Sequence, residues 1–116
     1  MEVTAITRNF RMSAFKGRAL AREVQGKTVP AALNVLMFHP SKGAVVMLKT
    51  LKSAMANAKN NNNLEPETML VKLAVFDESK RMRRYWAAAR GSARPIARRL
   101  CHCKIVLTDA GLKAKA

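Results

Sequence analysis

The run Lys80 to Lys104, KRMRRYWAAARGSARPIARRLCHCK, carries nine Lys or Arg and no Asp or Glu. Of the net charge of +15, this stretch supplies +9, while residues 1–79, with eleven basic and six acidic side chains, supply only +5. Like charges at this density repel and hold a chain open unless a polyanion neutralises them. Seven of the nine are arginine, whose planar fork grips phosphate through two hydrogen bonds and stacks on bases, where lysine offers a point charge. The middle, Ala87 to Ala93, is built of small residues around Arg90 and Gly91, the composition of a tip that fits a narrow space. The stretch reads as a basic finger that becomes ordered inside nucleic acid.

On either side lie two apolar strands. Thr68–Phe76 alternates Met69, Val71, Leu73 and Val75 with Leu70, Lys72, Ala74 and Phe76; both sets are largely apolar, which predicts a central strand. Lys104–Thr108, KIVLT, is the second. If they pair antiparallel, the chain between them goes out and back and turns near Ala88 to Gly91. Eleven steps from Asp77 to Ala88 at ~3.3 Å each put the tip ~36 Å from the sheet. A lone two-stranded ribbon is marginal in water, and this one lacks an apolar face, since Arg84, Trp86, Arg94, Ile96 and Arg98 share one parity. Its order must come from a partner.

Upstream, Val3, Ala5 and Thr7 alternate with Thr4, Ile6 and Arg8 as a short strand. Ser13 is placed to cap a helix to Gln25, with Gly26 ending it and Gly17, Leu20, Ala21 and Val24 on its inner face. A second helix starts at Pro30 with Val29, Leu33 and Leu36 on one stripe, and His39-Pro40 breaks it. Ser41 caps the longest helix, Lys42 to Lys59, with a seam of Ala44, Leu48, Leu51, Met55 and Ala58 and with Lys42, Lys49, Lys52 and Lys59 toward the other side. Asn60 to Asn63 reads as its stop and turn, and the final GLKAKA should fray.

The length fits one domain, with a body of about 1–79 and 104–110, an extended hairpin of about 80–103 and a tail at 111–116. A pI near 11 points to phosphate backbones. No apolar run approaches the ~20 residues a membrane-spanning helix needs, and MEVTAITRNF lacks the pattern of a signal peptide. Two cysteines are too few for a secreted disulfide scaffold, so the expected compartment is the cytoplasm. On a strand, Cys101 and Cys103 face one way and His102 the other, so the three cannot close on one metal ion; no metal or cofactor is expected. Without a Gly-rich phosphate loop or paired carboxylates, no enzymatic activity is expected either. The candidate nucleic-acid contacts are Arg11, Lys16, Arg18 and Arg22 around the first helix, and Lys80, Arg81, Arg83, Arg84, Tyr85, Trp86, Arg90, Arg94, Arg98 and Arg99 along the finger.

Ser13-Ala14-Phe15-Lys16-Gly17-Arg18, Gly26-Lys27 and Ala32-Leu33 resemble the first-helix signature of the large-subunit ribosomal protein family numbered twenty-two. Leu51 to Ala58, LKSAMANA, is similar to that family's most distinctive run. Asp77-Glu78, Met82-Arg83-Arg84, Arg90-Gly91 and His102 follow in the family's order, so the resemblance spans residues 3–109. It implies an α+β fold, a three-stranded antiparallel sheet packed with three helices, plus a long protruding basic β-hairpin. It also implies an early assembly protein that binds large-subunit rRNA of the 23S type beside neighbouring large-subunit proteins. The finger's arginines would be rRNA contacts, and Ala87, Ala88, Ala89, Arg90, Gly91 and Ser92 would form a tip in the wall of the exit tunnel, facing the nascent polypeptide. In that family, changes near the tip are associated with macrolide resistance. Gly17 and Gln25 depart from residues that are commonly apolar and basic there, and the tip has Ala87, Ala88 and Ser92 where a Pro and basic residues are usual.

The alternative class is an architectural DNA-binding protein whose basic β-arm enters the minor groove. Such arms usually work on tight dimers, and the long helix shows no spare apolar face, so no homo-oligomer is expected. A cationic membrane-surface protein ranks last, because no segment pairs a basic face with a large apolar one.

Overall fold

The computed structural model describes residues 2–109; the tail expected to fray, 111–116, lies outside the described residues. The elements are β1 (Glu2–Phe10), α1 (Ala14–Val24), α2 (Val29–Phe38), α3 (Lys42–Asn62), β2 (Leu70–Ala87) and β3 (Ala93–Thr108). Three helices and an antiparallel sheet of order β1-β3-β2 make the α+β fold that the resemblance implied.

The core is read most directly as rows across the sheet. Val3, Leu107 and Val71 are register partners; so are Ala5, Ile105 and Ala74, and then Thr7, Cys103 and Phe76. Apart from Thr7, every member of these rows is buried. All three helices contribute to the same core, through Leu20, Val24, Val29, Leu36, Met47 and Leu51. Thr7 meets the buried Thr50 of α3, oxygen to oxygen at 2.7 Å, and the Thr50 hydroxyl also donates to the Val46 carbonyl at 2.8 Å. The core therefore leaves neither hydroxyl unsatisfied.

The first helix crosses the sheet at close range because of one glycine. A Cβ on Gly17 would stand 2.6 Å from the ring of Phe76. The departure at Gly17 thus makes room for an aromatic ring between α1 and the sheet. The departure at Gln25 also has a local role, since its Oε1 accepts from the Ala74 N–H at 3.4 Å.

Several expectations change. β2 is an edge strand and β3 is central. β2 looks central in sequence because its outer edge is covered over the body: Gly26 donates to the Val71 carbonyl, Val71 to that of Lys27, and Val29 to that of Met69, at 2.8 to 3.1 Å. A bulge between Val71 and Leu73 leaves Lys72 without a register partner. It switches the inward set from Val71 to Ala74 and Phe76, so the simple alternation through Leu73 and Val75 fails. In α3 the fully buried stripe is Ala44, Met47, Leu51, Ala54 and Ala58, while Leu48 and Met55 are half-buried. In α2, Ala32 is buried where Leu33 was expected. α3 also runs three residues into the asparagines, and only Asn63, with φ 52°, takes the left-handed capping conformation. Ser41 caps α3 as expected, accepting from the Ala44 N–H at 3.3 Å, whereas Ser13 makes no such bond for α1.

Candidate nucleic-acid interface

Beyond the body, β2 and β3 continue as a ribbon. Register runs from Arg81 opposite Arg99, through Met82–Arg98, Arg83–Ala97, Arg84–Ile96, Tyr85–Pro95 and Trp86–Arg94, to Ala87 opposite Ala93. The molecule measures 64 × 25 × 22 Å with a radius of gyration of 17.3 Å, against roughly 13 Å for a compact chain of this length. At the tip, Arg90 and Gly91 both have left-handed backbones, φ 61° and 71°, the combination of a type I′ turn. The Ala88 N–H donates to the Ser92 carbonyl at 2.9 Å, and the Ser92 hydroxyl to the Ala89 carbonyl at 2.8 Å. The turn lies where the sequence placed it.

Lys80, Arg81, Arg83, Arg84, Arg90, Arg94, Arg98 and Arg99 are all exposed. Among the described residues, only Arg81 of these meets a carboxylate, Glu78 at 4.0 Å, and that pair is itself exposed, so it neutralises little. Tyr85 and Trp86 stand 75% and 60% exposed on opposite faces of the ribbon. Neither plugs the root of the finger. Both outer edges are bare as well, because β1 ends opposite Cys101 and the cover on β2 stops near Ala74. Bare edges invite pairing with other chains unless charge prevents it.

The root is fixed by paired irregularities. β1 bulges between Thr7 and Phe10, and β2 bulges between Glu78 and Arg81, one on each side of β3. Asn9 joins them. Its N–H donates to His102 Nδ1 at 3.1 Å, and its Oδ1 accepts from the Ser79 hydroxyl at 2.6 Å. Asn9 sits at φ 56°, a left-handed backbone that Asn tolerates better than most residues. Bulges bend and twist a strand pair, and this three-residue clasp sets the direction in which the finger leaves the body. His102 serves here as an acceptor. Cys101 and Cys103 lie on the opposite face, fully buried. Burial raises the Cys101 thiol and pushes that of Cys103 up to about 11, partly offset by a hydrogen bond with Thr50. Among the described residues no group of His, Cys, Asp and Glu is placed to hold a metal.

Where the finger meets α1, a groove of about 800 Å³ opens, lined by Arg11, Lys16 and Lys42 together with Arg84, Arg98 and Arg99 of the finger root. No acidic residue lines it. The structure thus gathers five of the sequence-predicted contacts into one site. Arg18 and Arg22 are exposed on α1 outside it, and Arg90 and Arg94 lie out toward the tip. Lys42 and Phe15 line the groove and were missed. The periodicity of α3 puts Lys42 on the side away from the apolar seam, but its Nζ sits 5.5 Å from the centre of the Phe10 ring, a cation–π distance. Gly17 and Gly43 bring the two helix starts together, a contact that helical periodicity cannot signal.

A sequence profile of the family described as "Ribosomal protein L22p/L17e" matches residues 5–108. The chain belongs to this family. Among curated L22p/L17e relatives, the large ribosomal subunit protein uL22 of Opitutus terrae is 46% identical over 94% of this chain and 96% of its own length. That of Akkermansia muciniphila is 46% identical over 94% and 97%, and that of a Thermotoga strain 40% identical over 94% and 69%. As an L22p/L17e protein the chain is a structural, non-enzymatic constituent of the ribosome. The profile covers body, finger and groove alike, so the basic ribbon belongs to the family fold. This membership displaces the DNA-arm reading.

Proposed function

We propose that this chain, a large-subunit ribosomal protein by family, works as a monomer that binds large-subunit rRNA with its finger and basic groove and thereby helps the subunit assemble. The tip, Ala87 to Ser92, would line the polypeptide exit tunnel and face the nascent chain. The observation that carries the reading is the finger itself: arginines on both faces, one weak acidic partner among the described residues, and no core of its own. A ribbon like this is electrostatically unsatisfied until phosphates surround it. Each arginine that meets a phosphate releases condensed counterions, so affinity for RNA should fall steeply as salt rises. Folded RNA is read largely by shape, backbone and unpaired bases, so the ribbon needs length and charge rather than a base-specific pattern. Neighbouring large-subunit proteins would complete the setting of the body.

The test is replacement of Arg83, Arg84, Arg98 and Arg99 by Ala together. All four are exposed, so the body should keep its unfolding midpoint. The variant should be lost from large subunits on a sucrose gradient after a high-salt wash, while the unaltered protein stays near stoichiometric. Equal retention of both would refute the role given to the finger.

A further inference from the structure

The groove at the finger root holds something the charge count does not explain. Phe15 lines it and is 80% exposed, although burial of a phenyl ring is strongly favoured. Around the ring stand six cations, from Arg11, Lys16 and Lys42 on the α1 and α3 side and from Arg84, Arg98 and Arg99 on the finger, with no carboxylate among the lining residues. Met12 and Met82 supply soft apolar walls. An exposed ring in a groove whose charges are all cationic is the arrangement that takes a base on the ring and its phosphates on the surrounding charges.

Resting on the rRNA-binding reading above, we propose that this groove is a site for an unpaired nucleotide of the rRNA, whose base stacks on Phe15 while its flanking phosphates bridge α1 and the finger root. Duplex RNA cannot occupy the site in this way, because its bases already stack on one another and its readable groove presents shape and 2′-hydroxyls instead. The volume of about 800 Å³ falls in the range of small-ligand sites, which admits a nucleotide. Because both walls contribute cations, an occupant would also tie the finger root to the helix side of the body.

The experiment uses the full chain carrying Tyr85→Ala and Trp86→Ala, which removes the finger's own rings. Affinity is measured for a six-nucleotide single-stranded oligoribonucleotide carrying one 2-aminopurine, and for a duplex RNA hairpin. Phe15→Ala should weaken the single strand roughly 5- to 150-fold, the range of one base–aromatic stack, remove the aminopurine quenching, and leave the duplex affinity unchanged. Phe15→Tyr should restore both signals, and Lys42→Ala should weaken both RNAs and lower the salt slope. An equal loss for both RNAs, or none for the single strand, overturns the stacking site while leaving the finger's role intact. Failure of the unaltered protein to bind either RNA would strike at the rRNA reading itself. Competition by hexaglutamate as strong as that by the oligonucleotide would hand the groove to an acidic protein segment and overturn the proposal as well.

Discussion

β2 and β3 pass through two regions under opposite regimes. From Leu70 to Phe76 and from Cys101 to Thr108 most side chains are buried; from Arg81 to Ala87 and from Ala93 to Arg99 nearly all are exposed. The same antiparallel ladder is present in both. What differs is what stands on its faces: helices over the rows from Val3–Leu107–Val71 to Thr7–Cys103–Phe76, and solvent around the arginines. Backbone pairing alone exchanges water for protein partners at little net gain, so the body is stable through apolar burial and the finger is shaped but not stabilised. A protein built this way separates the element that folds from the element that binds. The boundary is the pair of bulges at Asn9 and Ser79.

The sharpest way to break this comparison is to remove the ring at the middle of the packed region. Phe76 is 2% exposed and lies against Gly17. Phe76→Ala should cost about 3–5 kcal/mol, read as a lowered midpoint in urea unfolding. Trp86→Ala, ten residues further along the same strand and 60% exposed, should change stability by no more than about 0.5 kcal/mol. Comparable losses at the two positions would mean that the finger is part of the cooperative core.

This contrast also explains what the sequence disclosed. The finger's charge and its turn near Ala88–Gly91 were legible, because charge density and small residues are local properties, whereas the bulges and the Asn9 clasp at its root were not. The helices were legible to within a few residues, since the Ser41 cap and apolar periodicity are local too. The order of strands was not. Val71 and Leu73 look alike as letters, and the bulge at Lys72 that separates their faces is a consequence of pairing with Leu107 and Val106. The choice of Met47 over Leu48 as the buried residue of α3 likewise depends on where the sheet lies. The groove was half legible: Arg84, Arg98 and Arg99 stood out by charge, whereas Lys42 and Phe15 join them only through the close approach of Gly17 and Gly43.

A second prediction sharpens the account of the body through its buried thiol. Cys103 lies between Thr7 and Phe76 in the sheet, and burial moves its thiol from 9.0 up to about 11. The folded state therefore holds this proton more tightly than the unfolded chain does. The associated stability is fully present below about pH 9 and is lost as pH rises through about 11, an effect on the order of 2–3 kcal/mol. Unfolding midpoints measured from pH 8 to pH 11 should fall, and Cys103→Ala should flatten the fall, leaving the smaller share that belongs to Cys101, whose thiol is also raised. An unchanged slope would mean that the thiol is not held in a dry, packed row. No corresponding group exists among the described residues of the finger, where no titratable side chain is buried.

A smaller and purely local effect is expected at the far end, and it tests the separation most directly. A Cβ on Gly91 would meet no atom within 4 Å, so Gly91→Ala introduces no clash and acts only through the backbone, which is left-handed at φ 71°. An L-residue there costs roughly 1 kcal/mol. If the finger is only locally ordered, that cost stays at the tip. Exchange of the Ala88 amide, which donates to Ser92, should quicken about fivefold by hydrogen-exchange measurement, in line with such a local opening. The amides of Ile105 and Leu107 in the central strand should keep their protection. Faster exchange at Ile105 would show strain travelling down the ribbon past the Asn9–His102–Ser79 clasp, and body and finger would then be one folding unit.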